Sequence, residues 1–344
     1  MSALIIAEIS ANHNQDLELA LQTVQAAIDA GADAIKVQTF KPESLALNVD
    51  NEIFGPKKKG AWKGWKPWDL YQKAALPYEW HEPIKNLTES QGKEFFSSPF
   101  DLDAVDFLEE LGVSRYKIAS FEINDIPLIR KASQTLKPII LSTGVATLED
   151  IELAVETCRD SGNNDITLLK CTSEYPATIE QANLRKMLDM HQRFKVKVGL
   201  SDHTEGFLVP VAAVAMGAVV IEKHIILNRE LGGLDSAFSV EPSEFAQMVS
   251  MVRQVEPTLG NVDYEVSDWD QSRKRSLFIT RPVKKGERLT HENVRSLRPN
   301  VGVEPQFLDS VLGLFALKDF EVGHPLTAED LKENLVKGLE RNNV

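Results

Sequence analysis

Apolar and polar positions along the first 260 residues form two alternating kinds of segment. Short runs rich in Val, Ile and Leu have the length of β-strands, and the segments between them carry apolar residues at helical spacing. The pattern predicts strands at residues 4–9, 34–38, 94–97, 115–119, 138–141 and 166–170. It predicts helices at residues 17–30, 78–91, 102–111, 126–135, 148–161, 180–191 and 243–259.

Residues 195–224 supply the last two strands of this series. Two β-branched runs, each ending in a polar cluster with a histidine, flank an apolar segment of helical length at residues 207–216. This is the pattern of a βαβ unit, and it brings the number of strand–helix repeats to eight, as in an α/β protein with a (β/α)8 TIM barrel. An open doubly-wound sheet is the alternative, but no glycine-rich dinucleotide turn follows the first strand.

The repeating pattern of strand and helix segments ends after Gly260. Residues 261–275 are polar and acidic, as in a linker, and short extended pieces follow at 276–280, 294–297 and 313–316. We therefore predict a barrel domain at residues 1–260, a small β-rich domain at 276–336 and a tail at 337–344. A domain of about sixty residues buries only a small hydrophobic core, so we expect it to pack against another protein surface.

Residues 41–66 form a polar stretch that is longer than an ordinary strand–helix connection. It contains three consecutive lysines at 57–59 and the tryptophans Trp62 and Trp65. A solvated basic loop and a lid over a functional site are both open interpretations.

Composition limits the kinds of molecule that the protein is expected to bind. A formal net charge of -13 argues against nucleic acid or an anionic membrane surface as the main partner. The N-terminus has no basic signal segment, and no apolar run has the length of a membrane span. Two cysteines are too few for a disulfide framework. We expect a cytoplasmic protein that acts on a small molecule.

Nearly every predicted strand ends in polar residues. In a barrel the carboxyl ends of the strands form one face, which carries the active site in enzymes of this fold. The candidates at these ends are Glu8, Lys36, Gln38, Ser98, Lys117, Ser120, Glu122, Ser142, Lys170, Cys171, Ser173, Ser201, His203, Glu222, Lys223 and His224. Lysines and hydroxyl groups replace the lost hydration of a bound anion, so this composition favours a phosphate or carboxylate ligand.

His203 and His224 end neighbouring predicted strands, so their rings are expected to lie close enough to share one ion. Two imidazoles with open positions fit a weakly held divalent metal that polarises a carbonyl oxygen. Glu8 and Glu122 are candidates for general acid or base. For each of these residues taken alone, a purely structural explanation has about the same weight as the functional one. A histidine could be a buried imidazole with its hydrogen bonds satisfied, and a glutamate could neutralise a neighbouring lysine.

Other chemistry is open to the same residues. One alternative is an aldolase that forms a Schiff base on Lys36, Lys117, Lys170 or Lys223. Another is a non-catalytic protein that binds sugar or ice through its C-terminal domain. Cys171 is disfavoured as a nucleophile because the sequence indicates no dedicated base beside it.

Six ordered motifs resemble the sialic acid synthase family. They are residues 6–13 (IAEISANH), 116–122 (YKIASFE), 141–144 (LSTG), 170–176 (KCTSEYP), 199–204 (GLSDHT) and 221–224 (IEKH). The segments at 275–277, 284–287 and 297–299 are similar to the antifreeze-like (SAF) domain that follows the barrel in that family.

The resemblance implies a metal-dependent condensation of phosphoenolpyruvate with the open-chain aldehyde of an N-acetylated amino sugar, with release of phosphate. It implies that His203 and His224 hold Mn²⁺ or Mg²⁺ and that Glu8, Glu122 and Lys36 are catalytic. The implied substrate-binding residues are Gln38, Ser98, Lys117, Ser120, Ser142, Ser173, Tyr175, Ser201, Asp235 and Arg298. It also implies a domain-swapped homodimer in which the C-terminal domain brings Arg298 to the acetamido group bound in the partner's barrel.

The segment after His224 bears on the choice of sugar. Residues 231–239 are LGGLDSAFS, where members that use N-acetylmannosamine usually carry a Gly-Pro-Asp-His type of sequence. This difference favours 2,4-diacetamido-2,4,6-trideoxy-L-altrose, with N-acetylmannosamine or a diacetamido-mannose analogue as the alternative. An apolar wall is expected against the 6-deoxy methyl group, supplied by Phe238 or by the tryptophans of the long loop.

Overall fold

The computed structural model describes residues 2–60 and 62–332. Eight parallel strands close into a barrel in chain order, which confirms the predicted TIM-barrel class. The strands are β1 Leu4–Glu8, β2 Ala34–Thr39, β3 Glu94–Pro99, β4 Tyr116–Ile118, β5 Ile139–Ser142, β6 Ile166–Cys171, β7 Lys197–Asp202 and β8 Val220–His224. Closure comes from the pairing of β1 with β8, which sets Glu8 beside His224.

Helices connect the strands around the outside of the barrel. They are α1 Leu17–Asp29, α2 Pro42–Leu45, α3 Pro67–Ala74, α4 His81–Ser90, α5 Leu102–Leu111, α6 Ile126–Gln134, α7 Leu148–Asp160, α8 Arg185–Phe194, α9 Leu208–Ala215 and α10 Pro242–Val255. The apolar strand positions are buried on both faces, as a parallel sheet covered by helices requires.

Local features explain two of the differences between the observed and the predicted helices. The predicted helix at 180–191 is displaced to Arg185–Phe194, because Asn183 adopts a left-handed backbone conformation with φ of 41° and separates a short turn from α8. Helix α3 was not predicted, because its eight residues bury a single side chain, that of Leu70, and carry no long apolar stripe.

The chain divides after Gly260 into two compact units, which are described separately. The second unit contains α11 Asp268–Ser272, an antiparallel pair of strands, β9 Ser276–Ile279 and β10 Val294–Leu297, and α12 Leu308–Val311. Its own core includes Leu277, Ile279, Val294, Phe320 and Leu326. The predicted tail at 337–344 and the predicted domain end at 336 lie outside the described residues. Among the described helices, none combines the length and apolar character needed to cross a bilayer.

The period of two along each strand decides which polar groups enter the barrel. In β8, Glu222 and His224 face the interior cavity, whereas Lys223 between them bonds to Asp202 at 2.5 Å. Ser201 and His203 follow the same rule along and just beyond β7. Residues two apart therefore reach the same site from the carboxyl ends of the strands.

Gly199→Ala tests the close packing of β7 against its neighbours. An added Cβ would collide with the Val220 carbonyl oxygen and the Leu169 side chain, on the two adjacent strands. Overpacking of a tight interior costs about 1–3 kcal/mol, so we expect the free energy of unfolding in urea to fall by that amount. Glu156→Ala on the exposed side of α7 is the control and should change it by less than about 0.5 kcal/mol. Equal stability of the two variants would contradict this packing.

Candidate active site

Polar side chains from the carboxyl ends of the barrel strands surround one cavity of about 220 Å³ in the first unit. The structure places these predicted residues in its lining: Lys36, Gln38, Lys117, Ser120, Glu122, Ser142, Tyr175, Ser201, His203, His224 and Asp235. Glu8 and Ser98 contact Lys36, and Ser173 contacts Cys171. Arg298 belongs to the second unit, where it is exposed just after β10.

Two lysines and two carboxylates form a buried network at the bottom of this cavity. Lys36 is ion-paired with Glu8, and its Nζ lies 3.7 Å from Glu222 Oε1. Lys117 Nζ lies 3.6 Å from the same oxygen of Glu222, which also accepts a 3.1 Å hydrogen bond from Ser201 Oγ. Each charge therefore has an opposite partner, as buried ions require.

The two carboxyl groups of this network differ in their tendency to hold a proton. Burial raises the pKa of Glu8 above its usual value, and the Glu222 charge adds to this effect against the opposing charge of Lys36. Burial would raise the pKa of Glu222 as well, but the charges of Lys117 and Lys36 outweigh it and lower that pKa. Glu222 is thus the anion of the pair, and Glu8 is the carboxyl that accepts a proton more readily.

Glu222 was among the polar candidates at the strand ends, but the sequence argument gave it no role in the site. The attention given to strand ends favoured His224, although Glu222 stands two residues earlier on the same strand. The period of two was the available signal, because it turns both side chains toward the same interior.

His203 and His224 are close enough to hold one ion, with ring centroids 5.1 Å apart. His203 Nδ1 lies 2.9 Å from the Thr172 carbonyl oxygen and donates to it, which leaves Nε2 with a free lone pair. His224 Nδ1 is buried and has no hydrogen-bond partner among the described residues. Burial, followed by the nearby positive charges, lowers the pKa of His224 well below its usual value, so this imidazole is neutral.

The histidine pair fits a metal held by few protein ligands. Within residues 2–60 and 62–332, no group of three or more His, Cys, Asp and Glu side chains is arranged around a common ion. Two imidazole ligands leave the other coordination positions to water or substrate, as in an open catalytic site.

Hydroxyl groups converge beside Gly144 at the start of the loop after β5. Its backbone N–H donates to Ser120 Oγ at 3.1 Å, and a Cβ at this position would collide with Ser173 Oγ and Ser120 Oγ. Ser142 Oγ is buried without a partner in the described chain. Glycine therefore lets several donors approach a common space, which suits an anionic group.

Aromatic side chains form the outer wall of the cavity. Tyr175 lies between His203, at a centroid distance of 4.4 Å, and Phe238, at 4.8 Å. Trp62 lies 5.6 Å from Tyr175, and its indole N–H donates to the Leu234 carbonyl oxygen at 3.0 Å. The long loop at residues 41–66 thus contributes Trp62 to the lining, where an apolar wall was expected.

Asp235 is fixed by the loop after β1. Its Oδ2 accepts hydrogen bonds from Ser10 Oγ at 2.5 Å and from the Ala11 N–H at 3.3 Å. Gln38 Nε2 donates to both Ser10 Oγ and Glu8 Oε1 at 3.0 Å, so this network links Asp235 to the buried carboxyl of Glu8.

Three polar residues at the strand ends, Lys170, Lys223 and Cys171, differ in their surroundings from the other candidates. Lys170 and Lys223 do not line the cavity, because Lys170 Nζ bonds to Thr172 and Gln181 and Lys223 Nζ bonds to Asp202. His203 Nδ1 also lies 4.0 Å from Cys171 Sγ, but this nitrogen donates to the Thr172 carbonyl and is therefore not a base for the thiol. Burial would raise the pKa of the Cys171 thiol, but interaction with His203 outweighs it and lowers the value to about 7.

Comparisons with known proteins agree with these features. The NeuB family model matches residues 23–264, and the SAF domain model matches residues 274–332. The chain is 45% identical over 331 residues to the pseudaminic acid synthase of Campylobacter jejuni subsp. jejuni serotype O:23/36, covering 95% of this chain and 96% of that one. It is 36% identical over 340 residues to the N,N'-diacetyllegionaminic acid synthase of Legionella pneumophila, covering 96% and 95%.

A solved structure shows the same architecture. The N-acetylneuraminic acid synthetase of Leptospira borgpetersenii serovar Hardjo-bovis, in complex with citrate, superposes with a TM-score of 0.70 and 34% identity. The match covers 79% of this chain and 90% of that one.

Glu122→Gln should stabilise the protein more at pH 8 than at pH 4.5. Burial raises the pKa of Glu122 to about 7 from 4.5, so the folded chain keeps a proton that the unfolded chain releases within this window. The free energy of unfolding therefore falls as the pH rises through it. Glutamine does not ionise, and we expect a gain of about 2–3 kcal/mol at pH 8 and almost none at pH 4.5. Urea denaturation at both pH values measures this, with exposed Glu156→Gln as control. An equal gain at both would contradict it.

Proposed function

Because the chain belongs to the NeuB family, we propose that it makes pseudaminic acid by condensing phosphoenolpyruvate with 2,4-diacetamido-2,4,6-trideoxy-L-altrose, with release of phosphate. The enzyme is then a transferase that forms a carbon–carbon bond. The higher identity to the pseudaminic acid synthase than to the legionaminic acid enzyme supports this sugar. We place the reaction in the cytoplasm, where phosphoenolpyruvate is produced.

The observation that carries the reaction type is the position of the lysine and hydroxyl groups beside the histidine pair. Lys36 and Lys117 supply positive charge, and the surrounding hydroxyl groups supply donors to the phosphate and carboxylate of phosphoenolpyruvate. The proposed donors are those of Ser98, Ser120, Ser142, Ser173 and Ser201. This arrangement holds an anion next to the point where an aldehyde would bind.

His203 Nε2 and the unpartnered Nδ1 of His224 make the histidine pair the proposed site of Mn²⁺ or Mg²⁺. A bound divalent ion supplies Lewis acidity toward the aldehyde oxygen of the sugar. The chain's own contribution lies in the protonation state of His224 and in the orientation of His203. Burial keeps His224 neutral, and the Thr172 carbonyl fixes the ring of His203.

Glu8 and Glu122 are the proposed groups for proton transfer and for activation of the attacking water. Glu8 is held by Lys36 and by the 3.0 Å hydrogen bond from Gln38, which fixes its direction. Glu122 Oε2 is buried without a partner in the described chain, and the pKa of about 7 lets this carboxyl both accept and donate a proton near neutrality. Lys36 stabilises the ionised form of Glu8.

A panel of sugars tests the substrate. With phosphoenolpyruvate and metal present, we expect phosphate release to be fastest with the diacetamido-trideoxy-altrose, and slower with N-acetylmannosamine or the diacetamido-mannose analogue. EDTA should abolish release, and Mn²⁺ should restore it, because the histidines lack a third protein ligand among the described residues. Faster turnover of N-acetylmannosamine would overturn the proposed sugar. Activity that persists in EDTA, with borohydride trapping on a lysine, would instead indicate a Schiff-base aldolase.

Two inactive variants test the proposed domain-swapped homodimer. His224→Ala removes a proposed metal ligand, and Arg298→Ala removes the side chain that the family resemblance assigns to the partner's substrate. If Arg298 acts across the dimer, each mixed dimer contains one intact site, and co-expression should restore about a quarter of wild-type activity. Each variant alone should be nearly inactive. Failure to regain activity, with mixed dimers demonstrated by affinity tags, would show that Arg298 does not act in this way.

A further inference from the structure

Lys57 is the third lysine in the lining of the active-site cavity, and the proposed chemistry gives it no task. Its Nζ lies 5.2 Å from the ring centroid of Trp62 and 5.5 Å from that of Tyr71, and both rings also line the cavity. Unlike Lys36 and Lys117, it forms no ion pair with a carboxylate within residues 2–60 and 62–332.

The backbone around Lys57 holds it at this position. Its N–H donates to the Trp65 carbonyl oxygen, and its own carbonyl oxygen accepts from the Gly64 N–H, both at 2.9 Å. The bond from the Trp62 indole to Leu234 attaches the same loop to the segment after β8. Lys57 is half-buried, whereas its neighbours Lys58 and Lys59 are exposed.

Among the residues that the structure describes, none accepts a hydrogen bond from the ammonium group of Lys57, whose recorded neighbours are the rings of Trp62 and Tyr71. Burial lowers the pKa of Lys57, and the two aromatic faces compensate for part of the lost hydration. An ammonium group has three N–H donors, which aromatic rings satisfy poorly. A neutral ligand group with one strong acceptor oxygen and an apolar methyl would match the ammonium and the rings together. An acetamido group has both parts.

The position of Lys57 selects which acetamido group this is. Trp62 neighbours Tyr175, and Tyr175 neighbours His203, so two aromatic rings separate Lys57 from the histidine pair. The aldehyde end of the sugar belongs at that pair, and the 2-acetamido group is adjacent to the aldehyde. The 4-acetamido group lies two carbons further along the chain, toward Lys57.

We propose that Lys57 is a specificity-determining residue whose ammonium donates to the carbonyl oxygen of the sugar's 4-acetamido group, while Trp62 and Tyr71 cover its methyl. This inference rests on the proposed function and assigns a part of the substrate to a part of the cavity. It explains why a cation lies among aromatic rings at some distance from the groups that hold the anion.

Lys57→Met keeps most of the apolar stem over the rings and removes the donor. We expect it to raise the KM for the diacetamido sugar about tenfold, since a charge-assisted hydrogen bond is lost. The KM for phosphoenolpyruvate should change less than about twofold, and so should the KM for the analogue with a 4-hydroxyl group. Lys59→Met makes the same change of net charge on the exposed part of the loop and is the matched control, with unchanged constants.

Lys57→Arg separates binding from a change in loop structure. Because it retains cationic donors, it should recover most of the affinity for the diacetamido sugar. The proposal is overturned if Lys57→Met affects both sugars equally, if it raises the KM for phosphoenolpyruvate instead, or if it behaves like Lys59→Met. Failure of the wild-type enzyme to use the diacetamido altrose would refute the proposed function itself, and this outcome is visible before any variant is made.

Discussion

The buried charges of Glu8, Lys36, Lys117 and Glu222 are the constraint on which the active site depends. Removal of any one of the four leaves an excess charge in the interior, and an uncompensated buried charge typically costs about 3–5 kcal/mol. Because Lys36 lies between two carboxylates, it lowers the cost of burying both. The network therefore fixes four strand ends relative to one another, and the hydroxyl groups and histidines are positioned around it.

Barrel closure brings these residues together from distant parts of the chain. Pairing of β1 with β8 sets Glu8 beside His224, and pairing of β1 with β2 sets Glu8 beside Lys36. The remaining partners come from β4 and β8, whose interior side chains meet across the barrel. Apolar burial along the strands thus supplies the geometry, and the last residues of each strand supply the chemistry.

Features that depend on local sequence were predictable, and features that depend on three-dimensional contacts were not. The strand–helix repeat and the interior positions of His203 and His224 follow from periodicity. Assigning Glu222 a role in the site required the period of two along β8, which turns its side chain toward the same interior as that of His224. The left-handed conformation at Asn183, which displaces α8, is not specified by apolar spacing. The pairing of β6 with β7 sets Cys171 beside Ser201, but the approach of Cys171 to His203 also depends on how the chain turns after β7, which no spacing in the sequence indicates.

The groups proposed for the condensation reaction and those proposed to select the sugar lie in different parts of the site. Strand ends hold the charged and hydroxyl groups that a condensation with phosphoenolpyruvate needs. The aromatic wall comes instead from segments beyond the strands: Tyr175 follows β6, and the segments after β2 and β8 supply Trp62 and Phe238. The hydrogen bond from Trp62 to Leu234 joins the segments after β2 and β8 into one wall. A change in either segment therefore alters the surface presented to the sugar, while the paired charges at the bottom of the barrel remain in place.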